Sequence, residues 1–323
     1  MLLGDVGRYL FWVQLRRGLF PAHPRMLERL STVGAHAQWF LTSDRRARMA
    51  EEVERSFPSR SWTTDQFDAL SHAAYALHVR CLLEELLLGK LTTENIEKFM
   101  IFEGRDNLEA ALGGGQGVVL VFPHAGAIML LIALLSLSGY DFTQVAARGF
   151  PPTERQRSAD VRPTWFNLQA RKARESAEDR LPAKFHGMDG PPRELYRRLE
   201  NNGIIAIAFD GRGGSKFERV PYLNRTALLS SGPWRLAAST GAALVPAFCR
   251  GIPGQPHRLM LGAPIRASAT DGSLASRAEL LREKALRSAI EPWLEQHPDH
   301  YARWLLHCRE HAGMDDHPLF EGQ

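Results

Sequence analysis

The sequence predicts an α/β protein, with a mostly parallel central sheet, flanking helices and a helical N-terminal portion. Three observations carry that expectation. The run "VVLVF" (118–122) is short, apolar and β-branched, as a strand buried on both faces must be. It leads into "AGAIMLLIALLSLSG" (125–139), with the length and composition of a buried helix closed by Gly139, and then into "FTQVAA" (142–147), a second strand. Strand, turn, helix, strand is the repeating unit of parallel sheets. The third observation is recurrence: the helical "PPRELYRRLENNG" (191–203) precedes "IIAIAFD" (204–210), and the helical "SGPWRLAASTG" (231–241) precedes "AALVPAFCR" (242–250).

Taken in chain order, the first 100 residues read as helical. Apolar residues recur at helical spacing from about Met26 to Leu91, as in "RMLERLSTVGAHAQWFL" and "AAYALHVRCLLEELLLG", with Gly89 placed as a C-cap. The stretch "EGRDNLEAALGGGQG" (103–117) reads as a short helix ending in a glycine-rich turn before the first strand. Residues 151–192 are polar and rich in arginine, without a clear period, and suit a helix with flanking loops over the sheet edge. There is no repeat, no low-complexity tract and no linker long enough to separate independent domains. The expectation is one domain over 1–323, with a helical portion at 1–100 and an α/β core at 101–310.

Composition narrows the function. With 44% hydrophobic and 24% charged residues in 323, the chain is long enough for a substantial core and has an ordinary soluble balance. Cys81, Cys249 and Cys308 lie far apart with no CxxC pair, which argues against a disulfide framework or a zinc knuckle and fits a reducing cytoplasm. A net charge of +4 favours acidic partners, such as phospholipid headgroups or an acidic carrier protein, but is small for a nucleic-acid binder. Of the 40 basic residues 34 are arginine, the side chain suited to bidentate contact with phosphate or carboxylate; a coding bias explains the excess equally well. The N-terminal "MLLGDVGRYLFWVQLRRGLF" is too interrupted to span a bilayer and lacks a cleavage site. Residues 8–20, aromatic and arginine-bearing, suit either an amphipathic helix on a membrane surface or packing onto the protein's own core.

The candidate chemistry centres on His124. It follows Pro123 at the carboxyl end of a predicted strand and precedes a predicted helix, and in open parallel sheets that edge is where ligands bind. A helix N-terminus would hold its imidazole neutral, as a general base requires; the alternative is a structural histidine inside an apolar run. Asp210 closes "IIAIAFD" and is followed by "GRGGSK", so it reads either as a carboxylate that orients a histidine beside an anion-accepting glycine turn or as a plain turn aspartate. The sequence has no GxSxG elbow, no GxxxxGK[ST] loop and no strand-linked GxGxxG. "HPDH" (297–300) reads as a solvated turn rather than a metal motif, and no metal or cofactor is expected.

These residues carry a resemblance to the bacterial lipid A late acyltransferases, the lauroyl- and myristoyl-transferase branch of the lysophospholipid acyltransferase superfamily. Four stretches are similar: "SDRRARMAEEVERSFP", "FEGRDNLEAALGGGQGVVLVFPHAGA", "NNGIIAIAFDGRGG" with the following "RVPYLNRTALLSSGPWRLAASTGAALVPAFCR", and "EPWLEQHPDHYARWLLHCRE". Together they cover about residues 35 to 310. The resemblance implies an acyltransferase that takes a fatty acyl group from an acyl carrier protein or coenzyme A thioester and delivers it to a hydroxyl or amine, on a lipid or a small molecule. It implies a cytoplasmic site of action, peripheral to the inner membrane where the acceptor is a lipid.

In that family the catalytic motif is His-x4-Asp/Glu. His124 matches the histidine, and Met129 stands at the carboxylate position, which assigns it to the substrate side. Three outcomes follow from that departure: Asp210 serves as the replacement, an amine acceptor asks less of the base, or catalysis has been lost and a lipid- or partner-binding protein remains. A transferase of aminoacyl or short acyl groups on the same fold is the alternative enzyme. Arg148 and Arg180 resemble family arginines, and with Arg212 they are candidates to hold a phosphate or polarise the thioester carbonyl.

Overall fold

The computed structural model describes residues 2–19, 24–146, 163–188, 190–212, 216–312 and 318–322. Helix α1 (Leu2–Tyr9) runs on through a π-turn at Leu10–Leu15 to Gly18, and α2 (Pro24–Leu41), α3 (Ser43–Ser56) and α4 (Thr64–Glu85) complete the helical N-terminal portion. Thr63 starts α4 with a capping box: its hydroxyl accepts the Gln66 N–H, and the Gln66 side chain accepts the Thr63 N–H.

The core alternates strands and helices: β1 (Met100–Glu103), α5 (Arg105–Leu112), β2 (Val118–Phe122), α6 (Ile128–Leu137), β3 (Phe142–Val145), α7 (Trp165–Glu178), β4 (Lys184–His186), α8 (Pro192–Glu200) and β5 (Ile204–Ala208). A hairpin of β6 (Phe217–Tyr222) and β7 (Arg225–Ser230) follows, then α9 (Gly232–Thr240), β8 (Ala243–Arg250), β9 (His257–Leu261), α10 (Leu274–Ala285), α11 (Glu291–Gln296) and α12 (Pro298–His311). Seven strands form one sheet in the order β1-β9-β8-β2-β5-β3-β4, with β8 and β9 antiparallel and the other neighbours parallel.

Strand alternation divides the core in two. Val119, Val121, Ile205 and Leu244 face one cluster, which includes Trp234, Leu294 and Tyr301. Val118, Leu120, Ile204, Ala206 and Val245 face the other, which includes the apolar α6. All five β2 residues are buried, which explains a continuous apolar run in place of alternation. Burying each such aliphatic side chain contributes roughly 1.5–3 kcal/mol.

The α/β class and the helical N-terminal portion agree with the sequence reading. Strands β1, β4, β9 and the β6–β7 hairpin were not anticipated; β1 and β4 are short and lie at the sheet edges, where one side needs no apolar partner strand. Within residues 8–20, Trp12 and Leu19 are buried, Arg16 donates to the Ala173 carbonyl at 2.7 Å, and Tyr9 packs 5.3 Å from Trp165. Much of that helix thus serves the protein's own core, while Leu10 and Leu15 stay exposed. Among the described residues no helix is long and apolar enough to cross a membrane.

Candidate active site

The site is placed by register. Strands β2 and β5 are parallel neighbours that pair Phe122 with Ala208, and the Phe209 N–H donates to the Phe122 carbonyl at 3.2 Å. Two residues past that pair, at the carboxyl edge of the sheet, stand His124 and Asp210, side by side for the same reason that Phe122 and Ala208 are. Their carboxylate and ring meet: His124 Nδ1 lies 2.7 Å from Asp210 Oδ1. The His124 backbone N–H also donates to both carboxylate oxygens, at 3.0 Å to Oδ2 and 3.2 Å to Oδ1.

Asp210 is buried, and Oδ2 accepts a further hydrogen bond from the Tyr301 hydroxyl at 2.8 Å. A carboxylate with this many donors remains a fixed acceptor, so Nδ1 carries the proton and Nε2 the lone pair. Burial first, then the Asp210 charge, drives the Tyr301 phenol well above its usual range, so that hydroxyl stays a donor. Nε2 makes no hydrogen bond among the described residues, and the ring, 31% exposed, lines a cavity of about 330 Å³.

Helix α12 supplies the opposite wall. Trp304 stacks on the His124 ring, with centroids 3.9 Å apart and planes 14° apart, and fixes its plane. Asp299, His300, Arg303, Trp304 and His307, spaced along one face of α12, all line the cavity with His78 and Cys81 of α4. Burial, followed by the charges of Arg303 and Arg45, pushes the His78 imidazole down to about 3, so this ring is neutral at pH 7.

Helix α6 starts at Ile128, later than the sequence suggested, so His124 lies in the preceding turn. Asp210, rather than a helix N-terminus, is therefore the group that orients the ring. That turn needs Gly126: its φ is +73°, and a Cβ there would lie 2.1 Å from the Cys249 carbonyl oxygen.

The other candidates are placed elsewhere. Met129 sits on α6, packs against the apolar cluster and does not line the cavity, where its neighbour Ile128 does. Arg212 is buried and donates to the Cys308 carbonyl at 3.4 Å and the His311 carbonyl at 3.0 Å, clasping the C-terminal turn of α12, where a cation complements the helix dipole. Arg180 is exposed, donates to the Gly89 carbonyl at 3.3 Å and does not line the cavity. Arg148 lies outside the described residues. "HPDH" is no solvated turn: Pro298 opens α12, and the buried His300 accepts the Gly251 N–H at Nε2, 2.9 Å away.

Two groups have metal-ligand atoms within 4.8 Å of one another, Cys81–Glu84–His257 and His297–Asp299–His300. In each, part of the donor set is already engaged. Glu84 is held by His257 and Arg80, and His300 is held by Gly251 and Asp299. Tyr301, Arg303, Trp304 and His78 had no role assigned from sequence. The available signal was the three- and four-residue spacing of polar and aromatic residues in "HPDHYARWLLH".

The chain is 32% identical over 151 residues to the phosphatidylinositol mannoside acyltransferase of Mycobacterium tuberculosis, an overlap of 46% of this chain and 43% of that one. It is 28% identical over 184 residues to the enzyme of that name from Mycolicibacterium smegmatis, covering 56% of each chain. The chain thus spans about half the length of the curated relatives it matches. The model of the bacterial lipid A biosynthesis acyltransferase family matches residues 19–309, and to that family the chain belongs.

Proposed function

We propose that this protein transfers a fatty acyl group from an acyl carrier protein or coenzyme A thioester to a hydroxyl or amine acceptor, with His124 as general base and Asp210 as the carboxylate that orients it. The observation that carries the reading is the His124–Asp210 pair, closed at Nδ1 and open at Nε2 on a cavity at the carboxyl edge of the sheet. Nε2 takes the acceptor proton as its oxygen or nitrogen attacks the thioester carbonyl. The C–S bond then breaks, the imidazolium returns the proton to the thiolate, and an ester or amide and a free thiol leave. Asp210 orients the ring and supports the imidazolium as it forms, the role of the aspartate in a serine-protease triad. Gly126 lines the cavity and its N–H has no acceptor among the described residues, so it is available to the oxyanion.

The names of the relatives favour a phosphoglycolipid acceptor. Access to such a lipid would be peripheral, on the cytoplasmic face of the membrane. Exposed Leu10 and Leu15, with Leu30, Val33, Phe40 and Leu41 on the outer side of α2, support that mode of approach. The test is mass-spectrometric detection of acylated phosphatidylinositol mannoside with palmitoyl-coenzyme A and palmitoyl-carrier-protein donors. His124→Ala should lower product formation about 10²- to 10⁴-fold while the protein remains folded, and an unchanged rate would refute the assignment.

A further inference from the structure

Among the described residues Arg303 is a cation at the cavity with no carboxylate in ion-pair contact. It projects from α12 one turn after Asp299 and next to Trp304, and it lines the cavity with His124. Its Nε and Nη1 are buried and make no hydrogen bond. Glu310, the acid that acts on it, is already clamped by Arg45 at 2.8 Å and Arg48 at 3.2 Å. The acids lining the cavity are engaged as well, Asp299 with His300 at 3.1 Å and Glu85 with Arg174 at 4.0 Å. Tyr75 offers Arg303 its ring, 5.1 Å from the guanidinium carbon, which softens a charge without neutralising it.

A half-buried guanidinium with unpaired N–H groups costs free energy, which an anion that completes it would offset. We propose that Arg303 binds a phosphate of the substrate and so positions the group to be acylated at Nε2 of His124. A guanidinium presents its N–H donors in one plane to phosphate oxygens, and those on Nε and Nη1 are unspent among the described residues. The proposal rests on His124 being the base. The phosphate can belong to a phospholipid acceptor or to the pantetheine arm of the donor, and the experiment separates these sources.

Steady-state rates are measured for wild type, Arg303→Met and Arg303→Lys with phosphatidylinositol mannoside and palmitoyl-coenzyme A. Arg303→Met should raise the acceptor KM about 10- to 100-fold, with a smaller change in kcat, and Arg303→Lys should fall between. A rise in the donor KM alone keeps the phosphate site and assigns it to the donor. Calorimetric titration with myo-inositol 1-phosphate, inositol and coenzyme A needs no turnover. Wild type and His124→Ala should bind one of the two phosphorylated probes, inositol should not bind, and Arg303→Met should bind at least tenfold more weakly. If His124→Ala still made product while Arg303→Met lost the probe, the base assignment would fall and the phosphate site would stand. Equal binding by wild type and Arg303→Met, or no binding of either phosphorylated probe by wild type, would overturn the proposal. Thermal melting of Arg303→Met at or above the wild-type temperature separates loss of the site from loss of the fold.

Discussion

Among the described residues two histidine–carboxylate pairs close at 2.7 Å, and their surroundings differ. His124–Asp210 joins two neighbouring strands at the sheet edge and leaves one ring nitrogen on a cavity. His257–Glu84 joins β9 to α4 and is wholly buried. Around it Arg80 donates to Glu84 at 2.9 Å and to the carbonyls of Ile252 and Gln255, and pairs with Glu28 at 3.1 Å, so the network ties α2, α4 and the sheet together. The chemistry of the bond is shared. Access to solvent and a cavity, rather than the length of the bond, separates the pair proposed as catalytic from the one that braces the fold.

That contrast can be broken experimentally, and the largest effect should come from Asp210→Asn. The amide cannot accept from Nδ1–H, the Tyr301 hydroxyl and a backbone N–H as a carboxylate does. Rates should fall about 10²- to 10⁴-fold in the transfer assay, by the logic of the same substitution in serine proteases. Glu84→Ala should do the reverse. It strands Arg80 and His257 in the interior and should cost about 3–5 kcal/mol in urea unfolding, with kcat per folded molecule close to wild type. If Glu84→Ala lowered kcat as far as Asp210→Asn does, the division between the two pairs would be wrong.

Gly126→Ala sharpens the comparison from the backbone. A side chain there meets the Cys249 carbonyl and a positive φ, so a loss of about 2–3 kcal/mol in stability and a large drop in activity are expected together. At neutral pH the smallest effect is that of His78, which shows only on acidification. His78 stays neutral in the folded protein down to about pH 3, whereas in the unfolded chain it takes a proton near 6.5. Its contribution is complete above pH 6.5 and is lost as pH falls towards 3, by at most about 1.4 kcal/mol per pH unit. His78→Leu should flatten that slope in acid-unfolding curves, and an unchanged slope would show that other groups set it.

Much of the core was legible because β2, β5 and β8 bury both faces and so read as unbroken apolar runs, and because α6 is apolar all round. His124 and Asp210 were legible as polar residues ending such strands. Their contact was a harder inference, since 86 residues separate them and only strand order makes them neighbours. The α12 wall was missed for a related reason. Its cavity face alternates with core residues Tyr301, Ala302, Leu305 and Leu306, so a helical pattern was visible without showing which side faced a ligand. Arg212, a candidate anion ligand from sequence, satisfies carbonyls at the end of α12, a need invisible without the fold.

Because the ladder between β2 and β5 sets where His124 and Asp210 stand, the site is indexed by backbone rather than by the side chains around it. Point changes at Met129 leave that index untouched. A one-residue insertion or deletion inside Ile204–Ala208 would turn Asp210 to the other face of the sheet, away from the imidazole, with both residues still present in the sequence. Chains related to this one should therefore tolerate substitutions in these strands far better than changes in strand length.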